Sequence, residues 1–214
     1  MNSFLATGLN SGLNFNYAWQ GCTALTAMPA IALTAGTNFS LAWRYCSSMN
    51  SFLATGLDSG LTFDNTWAGC TSLTTMPAIP LTAATTLTNT WNACTAITSW
   101  LVTDIDLVRT FSQAWINCTA LVNFPANVFD DWSPASRTAG CFNEAWGYCT
   151  ALSATSVENI LNSLATAGVA APSSSVDITI DFNASTGTPS VATAVGVLKG
   201  LSPPWTITLN GVAQ

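Results

Sequence analysis

The chain has 214 residues, enough for a sizeable core, and its 49% apolar and 7% charged composition excludes a disordered chain. Its net charge is −6, and its four cations, Arg44, Arg109, Arg137 and Lys199, are scattered; nucleic-acid binding, which needs a clustered basic footprint, is excluded, and so is charge-driven docking on an anionic membrane. Thr, Asn and Ser interrupt every apolar stretch, so no membrane insertion is expected.

The chain opens on Met1-Asn2-Ser3-Phe4, with no basic segment followed by an apolar one, so no secretory signal is expected. Met1 to Leu9 reads MNSFLATGL, and Met49 to Leu57 repeats that string. By this alignment the chain begins in mid-repeat, on strand. Phe4, Leu5 and Leu9 then have nothing in front of them, and an uncovered apolar end with an open strand edge invites another chain. The three residues are expected to form a partner-binding surface.

Six tryptophans share one frame: Trp19, Trp43, Trp67, Trp91, Trp115 and Trp146. The first four gaps are 24 residues and the last is 31. A cysteine follows each by three residues, from Cys22 to Cys149, and Phe or Leu precedes each by four. A fixed period of this length marks a stacked-repeat protein, whose usual business is contact. Phe, Trp and Cys at i, i+4 and i+7 predict a helical stripe. The Leu-x-x-Met-Pro piece that follows, as in Leu25–Pro29 and Leu73–Pro77, predicts a short strand ended by proline. Parallel strands in one sheet need a crossover in every repeat. The indoles and thiols are expected in the core, the thiols as small hydrophobes.

Little else carries chemistry. The chain has no His, which removes a Ser-His-Asp arrangement, and no Cys pair at zinc spacing. No phosphate-binding glycine motif occurs. Asp104/Asp106 and Asp130/Asp131 are paired carboxylates, read as solvated surface, with carboxylate-only catalysis the one route open. No catalytic residue, cofactor or metal site is assigned. The seven extra residues before Trp146 place Trp132 beside Asp130 and Asp131 on an irregular loop. These three are the second candidate partner-binding group.

Beyond Cys149 the period breaks. A helix is predicted from Ser156, its cap, to Gly168, then a strand over 176–182. A second helix opens at Thr188-Pro189 and runs to about Lys199, and a last strand covers 205–211.

The segments AWRYCSSM, TWAGCTSLTTMPAIPLT and AWGYCTAL closely resemble the BspA-type leucine-rich repeats, over roughly residues 1–155. That family occurs in bacterial surface proteins and in structural proteins of tailed phages. The ending WTITLNG is similar to phage-encoded members. With the periodicity, the resemblance implies an α/β leucine-rich-repeat-type solenoid of 24-residue repeats, each with one helix and one short parallel strand. Residues 1–154 would be the repeats, and residues 155–214 a C-terminal αβαβ cap of the same solenoid. The function implied is a non-catalytic structural or interaction protein of a virus particle, in capsid decoration or in the tail or fibre apparatus. Its partners would be other virion proteins or further copies of itself, and its location the virion. The alternative is a cell-surface adhesin or receptor-binding module that recognises a host glycan or protein.

Overall fold

The computed structural model describes residues 8–133, 138–169, 179–182, 189–209 and 212–213. Successive repeats lie side by side and pair in parallel. Strand β1 (Ala27–Met28) pairs with β2 (Ser51–Phe52), with Ala27 opposite Ser51. Strand β3 (Thr75–Met76) pairs with β4 (Ser99–Trp100), with Thr75 opposite Ser99, and a bridge carries Ser99 on to Asn123. A second line of parallel bridges links Asn14, Asn38, Thr62, Thr86 and Thr110. These four strands are two residues long. Proline, which has no N–H to give a ladder, directly follows Met28 and Met76.

The Phe–Trp–Cys segment is a run of consecutive turns, where a helix was expected. Its amides are divided between two uses. Phe15, Tyr17, Trp19 and Gly21 donate to Asn38, Ser40, Ala42 and Arg44 of the next repeat at 2.8–3.1 Å. Ala18, Gln20 and Cys22 donate three residues back, to Phe15, Tyr17 and Trp19. An α-helix would consume all its interior amides internally and leave none for the neighbour. The turns depend on left-handed residues two before and two after each tryptophan, as at Asn65 (φ 57°) and Gly69 (φ 75°). Between these reversals Phe, Trp and Cys still emerge on one side. That is how the segment imitates a helical stripe.

Stacking follows. Successive indoles from Trp19 to Trp146 lie 5.0–5.7 Å apart, with planes within 10° of parallel. Phe15, Phe39 and Phe63 form a second column at 5.4 and 5.2 Å. Offset stacking of this kind adds to the burial of large apolar area. Five thiols tie the columns together. Cys46, Cys70, Cys94, Cys118 and Cys149 each donate to the carbonyl of the preceding repeat's tryptophan at 3.0–3.2 Å. Among the described residues no disulfide forms.

The insertion after the fifth repeat turns inward. Phe129 and Trp132 are fully buried, and the Trp132 indole N–H donates to the Val108 carbonyl at 2.7 Å. Helix α1 (Ala154–Ala167) then lies across the end of the stack and buries Val157, Ile160, Leu161 and Leu164. Its cap is Ser153, which accepts from the Ser156 amide, and Gly168 stops it in the left-handed conformation. Ser156, expected as the cap, satisfies the last repeat instead. Its hydroxyl donates to the Val122 carbonyl and accepts from the Phe124 amide, both at 2.8 Å. A final sheet pairs β5 (Thr179–Phe182) with β6 (Thr206–Leu209) in parallel. Helix α2 (Pro189–Gly200) lies between them in sequence, and β7 (Val212–Ala213) adds antiparallel to β6. The start of the strand expected over 176–182 falls outside the described residues. Among the described residues no helix is long and apolar enough to cross a membrane.

Candidate functional site

A cleft opens beside the segment that follows β4. There Val102 and Ile105 point into the core and hold Leu101, Thr103 and Asp104 outward. Asp104 takes a left-handed φ of 56° and accepts a hydrogen bond from the Thr103 hydroxyl at 2.9 Å. Pro125, Ala126 and Val128 of the next repeat form the facing wall, and Asp131 joins from the insertion. The cleft encloses about 440 Å³, within the range of sites that hold a ligand group.

Three carboxylates, Asp104, Asp106 and Asp131, line this space together with Thr103, Asn127 and apolar side chains. Partial burial, then the charge of Asp131, then that of Asp104 push the Asp106 carboxyl above its ordinary range. Desolvation and like charge both disfavour the anion.

The expected contact residues are distributed differently. Phe4 and Leu5 lie outside the described residues. Leu9 begins a short 3-10 helix, Leu9–Ser11, and packs half-buried against the core. Trp132 is a core residue and corrects the expectation of an exposed loop aromatic. Its ring meets Phe111, Phe142 and Trp205 edge-on, and its N–H is satisfied internally, so nothing of it remains for a partner. Asp130 is half-buried and accepts from the Ser163 hydroxyl on α1, which ties it to the fold. Asp131 alone of that trio is exposed.

Asp104/Asp106 and Asp130/Asp131 were each read as solvated surface, with no second cluster beside either pair. The inter-repeat register brings one. A residue meets the chain about 24 positions later, as Thr75 meets Ser99, and 24 beyond Asp106 is the Asp130-Asp131 pair. That arithmetic was available from the tryptophan spacing.

The five thiols bonded to tryptophan carbonyls offer no reactive alternative. Burial pushes Cys46, Cys94 and Cys149 up to about 12, and Cys70 and Cys118 well above the ordinary value. Comparison with known protein families, with curated proteins and with solved structures gives no match.

Proposed function

We propose that this chain is an α/β leucine-rich-repeat-type solenoid that works by contact, as a non-catalytic structural protein of a virus particle. Residues 1–154 are the repeats and residues 155–214 the closing units. Its place is in capsid decoration or in the tail or fibre apparatus of a tailed phage, against other virion proteins or further copies of itself. The observation that carries the contact reading is where the chemistry sits. The tryptophan column and the five bonded thiols are spent on holding repeats together, and among the described residues three carboxylates gather at one outward cleft. Placement in a virion is supported by the resemblance of AWRYCSSM and its companions to repeats found in tailed-phage proteins.

Mass spectrometry of purified particles from the source tests the placement. A peptide such as the one spanning Thr138 to Cys149, at stoichiometric abundance in washed particles, is the expected result. The same peptide confined to the cell-surface fraction favours the adhesin reading, which the ligand-sized cleft also suits.

A further inference from the structure

A second cleft, of about 220 Å³, opens between the second and third repeats. The two clefts are related through the sequence. A shift of 48 residues, two repeats, carries Leu53, Pro77 and Pro80 of the smaller cleft onto Leu101, Pro125 and Val128 of the larger. Ala78 lines both, so they adjoin on one strip of the molecule. The strip alternates proline at 29, 77 and 125 with leucine at 53 and 101. Both leucines are open, at 55% and 48% exposure. The same shift turns Gly56 into Asp104, and carboxylates line the larger cleft but not the smaller.

We infer that these two clefts form one docking groove for a polyproline II-like segment of a partner protein. Apolar side chains three residues apart seat in the clefts, and an arginine or lysine at one end meets Asp104, Asp106 and Asp131. This deepens the contact reading above and rests on it.

Spacing selects the conformation. Paired strands lie about 4.8 Å apart, so two repeats advance about 9.6 Å along the stack. A polyproline II helix has three residues per turn and rises about 9.3 Å in that turn, which returns residue i+3 to the same side one cleft further on. A β-strand would put i and i+3 on opposite faces. An α-helix would advance only about 4.5 Å in three residues.

Charge selects the partner. Among the described residues three carboxylates face the larger cleft, and no cation lines either one. A second copy of this chain carries −6 and would meet repulsion at the acidic end. A glycan would call for exposed aromatic faces. Among the described residues the one aromatic ring lining these clefts, Phe52, is buried, while the exposed rings of Tyr17, Tyr45 and Tyr148 sit on the turn segments around the tryptophans.

An array of labelled polyproline nonapeptides tests the groove against the full chain. Leucine pairs are placed at i,i+3 or i,i+2, and arginine or glutamate follows. Selective binding of i,i+3 peptides with arginine is expected, with at least a tenfold loss for either change. Leu53→Asp should weaken that binding about tenfold. Asp106→Asn with Asp131→Asn should abolish the preference for arginine while the i,i+3 preference persists. Thermal melts of both variants confirm that they fold, since the substituted side chains are at least partly exposed. The groove is overturned if no i,i+3 arginine peptide exceeds its glutamate control. It is equally overturned if binding survives Leu53→Asp intact, or if Leu101→Asp instead removes binding of a polysaccharide. Peptide selectivity in a chain absent from particles defeats only the virion placement, and particle incorporation without selectivity defeats only the groove.

Discussion

The thiol of Cys70 donates to the backbone carbonyl of Trp43 at 3.2 Å, across the boundary between two repeats. The same bond recurs from Cys46 to Trp19 and from Cys94 to Trp67. It explains why cysteine recurs at a position where any small apolar residue would fit the volume. Each Trp carbonyl already accepts the amide three residues on, as Trp43 does from Cys46, and the thiol uses its second lone pair.

Cys70→Ala should therefore destabilise the chain by about 1–3 kcal/mol, the sum of a small cavity and a lost buried bond. Urea unfolding followed by tryptophan fluorescence measures it. An unchanged midpoint would show that the bond contributes nothing.

Trp67→Ala should cost about 3–5 kcal/mol and drive the chain toward aggregation, because the indole stacks on Trp43 and Trp91 and meets Phe52 edge-on. Trp67→Phe should cost much less. The Trp67 N–H is buried without a hydrogen-bond acceptor among the described residues, so its removal strands no partner. Trp132→Phe, which strips the Val108 carbonyl of its donor, should be the more damaging of the two Phe substitutions. Thermal melts of the pair decide the order.

The periodicity made the stacking legible, since Phe39, Trp43 and Cys46 recur every 24 residues and all three are fully buried. It also misled. Spacings of four and three suit a helix as well as a run of turns with left-handed reversals, and hydrophobic pattern alone does not separate them. A partial signal lay in Asn65, Asn89, Asn117, Gly21 and Gly69, residue types that tolerate positive φ, while Leu41, Tyr45 and Ala93 take the same conformation without advertising it. Trp132 was misplaced for a different reason: an insertion has no repeat-mate to reveal which way its side chains face. Asp131 beside Asp106 was recoverable only by adding the inter-repeat register to the sequence.

Native protein treated with iodoacetamide near pH 8 should take up label at Cys22, the half-buried member of the ladder, while the other thiols resist until unfolding. Burial raises the folded thiols such as Cys94 from 9.0 to about 12. Between those values the unfolded chain loses protons that the folded chain keeps, so stability should fall as pH rises through that window. Intact mass and melts at rising pH check both statements. Several adducts on folded protein would contradict the buried column.

Asp106→Asn should stabilise the chain slightly at neutral pH, by about 0.5 kcal/mol or less given solvent screening. The sign follows from a folded carboxyl raised above its unfolded value. Its ionisation opposes folding at neutral pH, and that opposition vanishes once the pH falls below the unfolded value. The gain of the variant should therefore disappear in acid. Melts of both proteins across the acid range test it, and a destabilised variant at neutral pH would reverse the assignment.

Contact along the strip marked by Leu53 and Leu101 is the proposed mode of action of this chain. Photo-cross-linking from position 101 within assembled particles tests it most directly, with position 107 as control, since Leu101 and Leu107 are similarly exposed at 48% and 54%. A cross-link is expected from position 101 to a proline-rich, basic segment of a second protein, and none from position 107. Cross-links from position 107 alone, or from neither position in particles that contain the chain, would contradict it.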